Sequence, residues 1–149
     1  MKPPLPSSDG FWILSWASRD AADATFTLIR GEDYCGLAVL PCVFLYFRSV
    51  ELALKSVLVH HGVKENEIAR ILGHRLTALL RRVEGFVVLS LLGIATSDRQ
   101  LLDRYSADYS EKWFEYPDDD SVDYPPLETL RDLSHCVVDA TRIYGRDRA

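Results

Sequence analysis

The stretch FLYFRSVELALKSVLVHHG, residues Phe44 to Gly62, decides the fold. Wound at about 100° per residue, it is apolar on nearly every side. The same character reaches back to Gly36. A surface helix keeps a polar face, so a helix apolar almost all round belongs in the centre of a bundle. The expected span is Gly36 to His61. Pro41 falls early enough to mark the start of the regular helix, and Gly62 stops it. Only three formal charges interrupt the run, Arg48, Glu51 and Lys55. They lie on one narrow arc with Phe44 and Gly62.

Working outward, the residues on both sides also read as helices. Pro3, Pro4 and Pro6 make residues 1–8 an extended leader. Ser8 or Asp9 can cap a helix from about Phe11 to Ile29, closed by Gly31. Ile13, Ala17, Ala21, Ala24 and Leu28 share one side of it, where small residues would admit a neighbouring helix. Trp12 and Trp16 stack beside them. After Gly62, Ile68, Ile71 and Leu72 recur at helical spacing. Gly73 breaks the segment, and Leu76, Leu79, Leu80 and Val83 continue it. FVVLSLLGIA, Phe86–Ala95, is too short for periodicity to separate helix from strand. Helix is favoured because a lone strand has nothing to pair with. Ser97 and Gln100 form a capping box for a helix carrying Leu101, Leu102, Tyr105 and Tyr109 and ending near Trp113. Residues 114–126 form an acidic loop. A last helix runs from about Pro126 to Tyr144, with Leu127, Leu130, Val137 and Tyr144 inward.

The expectation is an all-α, up-and-down bundle of about five helices in a single domain over residues 1–149. At 149 residues a chain buries enough surface to need no disulfide or structural metal. Apolar residues at 48% and charged residues at 26% are ordinary globular values. A net charge of −5 argues against a bulk DNA- or RNA-coating protein but leaves room for a local basic site. Cys35, Cys42 and Cys136 match no zinc spacing and read as small buried hydrophobes in a reducing compartment. Gly85–Ser97, an uncharged apolar run, is too short to span a bilayer, and the N-terminus has no signal core. The expected location is the cytoplasm, with no membrane partner. No Gly-rich phosphate loop, nucleophile elbow or dinucleotide fingerprint is present.

The run Phe44–Gly62, followed by LGHRLTALL at Leu72–Leu80, resembles the HEPN superfamily (higher eukaryotes and prokaryotes nucleotide-binding) of helical bundles. The matching residues are Arg48, Glu51 and Lys55 in the pattern R-x-x-E-x-x-x-K, then Gly73, His74 and Leu76 at the next helix start. The specific match covers residues 44–80, and the looser likeness covers residues 36–144. The resemblance implies a bundle that often pairs into a homodimer and serves toxin–antitoxin, defence or stress systems. Some members are metal-independent ribonucleases; others bind nucleotides or act as inactive partners. The ribonucleases carry an Arg and a His on a late helix, further apart than Arg131 and His135 are here. The resemblance therefore implies, first, a noncatalytic module binding RNA, a nucleotide or a protein partner encoded nearby. The alternative is a metal-independent endoribonuclease.

The candidate ligand-binding residues are Arg48, Glu51, Lys55 and His74. Arg48 and Lys55 could hold a phosphate, with Glu51 orienting them. The same residues also read as an ion-pair ladder, Glu51 lying four residues before Lys55. If exposed, that ladder contributes only about 0.3–0.5 kcal/mol. His74 sits at a helix start, where it could fix a turn; the resemblance brings it toward the stripe. The candidate catalytic residues are Arg131 and His135, four apart on one face with Glu128, Asp139 and Arg142. There His135 could take the proton of a 2′-hydroxyl while Arg131 stabilises charge on phosphorus, or the face could simply be solvated. No metal or cofactor is expected. His60 and His61 point about 100° apart, and Asp118–Asp120 read as a solvated turn.

Overall fold

The computed structural model describes residues 6–31, 39–111 and 123–145. Five α-helices are found among them: α1 Ser8–Gly31, α2 Val39–His60, α3 Leu76–Glu84, α4 Thr96–Ser110 and α5 Leu127–Ala140. A π-helical turn at Glu67–Leu72 and 3₁₀ turns at Leu89–Leu92 and Thr141–Tyr144 complete the described helical structure, and the architecture is the expected all-α bundle. Cys35, Trp113 and the acidic run Asp118–Asp120 lie outside the described residues.

Helix α2 is the central element. Every residue from Ser49 to Leu58 is buried. It touches α1, α3 and α5, while α1 meets α5 and α3 meets α4. Helices α1 and α2 run antiparallel: Ala22 and Asp23 face Cys42 and Tyr46, and Trp12 and His60 both reach the turn at Tyr144–Gly145. Helix α5 lies antiparallel to α1, with Arg131 over Phe26, His135 at Asp23 and Asp139 at Arg19. Small hydroxyl residues permit close crossings. Ser49 and Ser134 meet at 2.6 Å between α2 and α5, and Ser49 also donates to the Tyr46 carbonyl.

Helix α1 turns a different face inward than its small-residue stripe suggests. Phe11, Ser15, Ala22 and Phe26 are buried, whereas Ile13 is 48% exposed and Leu28 59%. Ala17, Ala21 and Ala24 are exposed with them. Apolar residues occupy both sides of this helix, and what selects one is the set of polar contacts it can make. Trp12 Nε1 donates to the Val138 carbonyl at 2.9 Å, Asp23 accepts from Tyr46, and Arg19 pairs with Asp139. Trp16 stays exposed on the outer side. The cap also shifts: Ser7, not Ser8 or Asp9, accepts the Gly10 N–H at 3.1 Å.

Three further local readings are corrected. Phe86–Ala95 is neither α-helix nor strand, holding only the 3₁₀ turn between Gly85 and Gly93, with Val88 and Leu91 exposed. Gly93 adopts φ 72° and ends that turn. The cap of α4 comes from Asp98, whose carboxylate accepts the Ala95 N–H at 2.9 Å, rather than from Ser97 and Gln100. Cys42 is buried and its thiol is pushed up to about 11 by burial and by the nearby Asp23 charge, but Cys136 is exposed. No described helix is long and apolar enough to cross a membrane.

Gly93 gives a direct test of packing at the α5 contact. A Cβ there would lie 2.9 Å from the Cβ of Cys136, and the positive φ disfavours any L side chain. Gly93→Ala should destabilise the protein by about 2 kcal/mol in chemical denaturation. An unchanged midpoint would refute this account of the turn.

Candidate functional site

Residues 48, 51 and 55 recur at helical spacing on α2, so one face of the central helix carries all three charges. Most of that face is enclosed. Glu51 is 0% exposed and Lys55 7%. The Glu51 carboxylate accepts from Lys55 Nζ at 2.5 Å, from Arg48 at 3.1 and 3.3 Å and from His74 Nδ1 at 3.0 Å. The hydroxyl of Tyr109 donates to its second oxygen. Gly73, at φ 53°, turns the chain between the π-helical turn and α3 and so delivers His74. Tyr109 comes from α4, its ring packed on Phe44 and Phe47 at 5.8 and 5.6 Å.

Burial alone would push the Glu51 carboxyl up. The His74 hydrogen bond and the Lys55 and Arg48 charges reverse this and hold it at about 2. The Tyr109 hydroxyl is raised by burial and then by the Glu51 charge, so it remains a donor. Burial works against the Arg48 charge, and Glu51 more than offsets it, leaving the guanidinium above its ordinary range. The structure thus brings all four expected ligand-binding residues together, but Glu51 and Lys55 are enclosed. Only Arg48 and His74 reach the surface, and the His74 side chain is 52% exposed.

Arg131 and His135 face a second place. A cleft of about 550 Å³ opens between α1 and α5, lined by Asp23, Phe26, Thr27, Arg30, Arg131, Asp132 and His135. His135 Nε2 lies 2.8 Å from Asp23 Oδ2, and the Tyr46 hydroxyl donates to Asp23 Oδ1 at 2.7 Å. The guanidiniums of Arg131 and Arg30 sit 4.9 and 5.4 Å from the Phe26 ring centre. Arg131 contacts Asp132 only at 3.4 Å, too long for a strong bond. Of the other charged residues on that face, Asp139 pairs with Arg19 at 2.9 Å.

Asp23, Phe26, Arg30 and Tyr46 were not legible as site residues. They lie on α1 and α2, and only the packing of α5 against α1 brings them to His135. Tyr109 was legible as an apolar-face residue but not as a carboxylate donor. His61 Nδ1 donates to the Val57 carbonyl at 2.8 Å, and its ring stacks on Phe86 at 4.8 Å. Among the described residues, no three His, Cys, Asp or Glu side chains converge as a metal site would require. The fold and these two charge clusters define a helical bundle with an enclosed network at Glu51 and an open cleft between α1 and α5. No protein-family model, no curated protein and no solved structure matches the chain.

The enclosed network makes a prediction with a definite sign. The Glu51 carboxyl is held below its ordinary 4.5, so its contribution to stability is full above that pH and is lost as pH falls toward about 2. Glu51→Gln leaves Lys55 buried without its counter-charge and should cost about 3–5 kcal/mol near neutrality. The stability gap between wild type and variant should narrow in urea titrations as the pH falls below 4.5. A gap independent of pH would refute the charge assignment.

Proposed function

We propose that this chain is a HEPN-like helical module that binds a phosphate-bearing ligand, RNA or a nucleotide, in the cleft between α1 and α5. The observation that carries the reading is the pair of guanidiniums, Arg30 and Arg131, flanking Phe26 in a cleft that also holds His135. Arginine forks match phosphate oxygens, and an aromatic–cation cluster suits a planar base beside a phosphate. The Arg48 face serves this reading less well. Its carboxylate already accepts from four side chains, and its lysine is enclosed.

The exposed apolar side of α1, with Ile13, Trp16 and Leu28, offers a surface on which a homodimer or a protein partner could seat. The resemblance at residues 44–80 is what suggests a stress, defence or toxin–antitoxin setting in the cytoplasm.

A second reading is favoured by one observation, the contact between His135 and Asp23. A histidine held by a carboxylate beside an arginine is equipped for metal-independent RNA cleavage. The 2′-hydroxyl proton would pass to His135 as the 2′-oxygen attacks phosphorus. The bond to the 5′-oxygen would break, that oxygen taking a proton from water, to leave a 2′,3′-cyclic phosphate.

Both readings are tested on one set of proteins. Arg131→Ala and Arg30→Ala should each weaken binding of short single-stranded RNA by about tenfold or more in fluorescence anisotropy. Equal affinity in all three proteins would sink the cleft as the ligand site. Incubation with a mixed RNA pool in EDTA separates binder from nuclease. Cyclic-phosphate ends produced by the wild type and abolished by His135→Ala would establish the nuclease, whereas bound but intact RNA supports the binding module.

A further inference from the structure

The cleft histidine is held on one side, and that determines which of its nitrogens can act. We infer that Asp23 is a positioning residue that locks neutral His135 with its proton on Nε2, so that Nδ1 is the atom His135 offers to an occupant of the cleft. Asp23 Oδ2 lies 2.8 Å from Nε2. Its other oxygen accepts the Tyr46 hydroxyl at 2.7 Å. Burial, and next the Asp23 hydrogen bond, push the Tyr46 hydroxyl well above its usual range, so it keeps its proton and must donate. Asp23 is thereby an acceptor on both oxygens. A carboxylate facing an imidazole nitrogen selects the tautomer that donates to it.

Three elements enforce the arrangement. Asp23 is on α1, Tyr46 on α2 and His135 on α5. The other charges lining the cleft are Arg30, Arg131 and Asp132. The arginines lie against the Phe26 ring and Asp132 contacts Arg131, so neither pairing competes for Nε2.

The consequence for chemistry is specific. Neutral Nδ1 carries a lone pair, so it can take a proton from a hydroxyl but cannot donate to a phosphate oxygen. Direct donation to phosphate then falls to Arg30 and Arg131. This consequence rests on the cleft being the ligand site; the tautomer itself does not.

Long-range proton–nitrogen NMR reads the tautomer directly, at a pH where the imidazoles are neutral. His135→Gln identifies the signal. His61 supplies an internal reference of the opposite kind, because its Nδ1 donates to a carbonyl that can only accept. Wild type should show His135 protonated at Nε2. In Asp23→Asn the amide oxygen can still accept from Tyr46 while the amide N–H donates to Nε2, so the proton should move to Nδ1. Tyr46→Phe should leave it on Nε2.

A wild-type His135 protonated at Nδ1, or an Asp23→Asn protein still protonated at Nε2, would overturn the proposal. If Asp23→Asn does not fold, the wild-type and Tyr46→Phe spectra still decide it. RNA binding then separates this inference from the functional one. With the proton on Nδ1, Asp23→Asn should bind short RNA about fivefold more tightly, having gained a donor. It should also lose any cleavage. An inverted tautomer with unchanged RNA affinity and cleavage would uphold the role of Asp23 and reject the cleft as the RNA site.

Discussion

A fully buried carboxylate is tolerated only where donors replace the water it has lost. Glu51 meets that demand from three elements at once: Arg48 and Lys55 on α2, His74 at the entry to α3, and Tyr109 on α4. Losing His74 or Tyr109 takes a donor from a carboxylate that is fully buried. The arrangement therefore specifies more than it stabilises. An apolar core of the same volume could hold the helices together but would not select this register of α3 and α4 against α2. The positive φ of Gly73 belongs to the same constraint, since the chain must reverse there for His74 to reach the carboxylate.

The other half of the bundle is set by a different device. Where α1 crosses α2, and α5 crosses both, small residues bring backbones close and hydroxyls return their hydrogen bonds to the preceding turn. Ser15, Ser49 and Thr141 are buried in this way. Such crossings leave little room for large side chains. The Asp23–Tyr46–His135 chain of contacts sits beside them, at the point where all three helices meet.

Much of the fold was legible because it depends on local pattern. The apolarity of residues 44–58 on nearly every side placed α2 at the centre, and the helical recurrence of Leu76, Leu79, Leu80 and Val83 gave α3, all four of them buried. Two kinds of feature were not legible. The inward face of α1 depends on which polar atoms find partners on other helices, and the stripe from Ile13 to Leu28 alone points to the side that stays exposed. Phe86–Ala95 is apolar because Leu89, Leu92 and Ile94 plug the core, yet glycines at both ends hold it in turns. For the sites, one helix carried Arg48, Glu51 and Lys55, so their grouping followed from spacing, but their depth did not. The neighbours of His135 lie far away in the chain and are assembled only by packing.

That distance matters for how the molecule comes to be. Asp23 and His135 are separated by 112 residues, whereas α1 and α2 are joined by a short connection and can associate early. The cleft exists only in chains whose α5 has docked. An occupant that touches both walls thus acts as a clasp on the least local contact of the fold, slowing the detachment of α5 and favouring complete chains over partly folded ones.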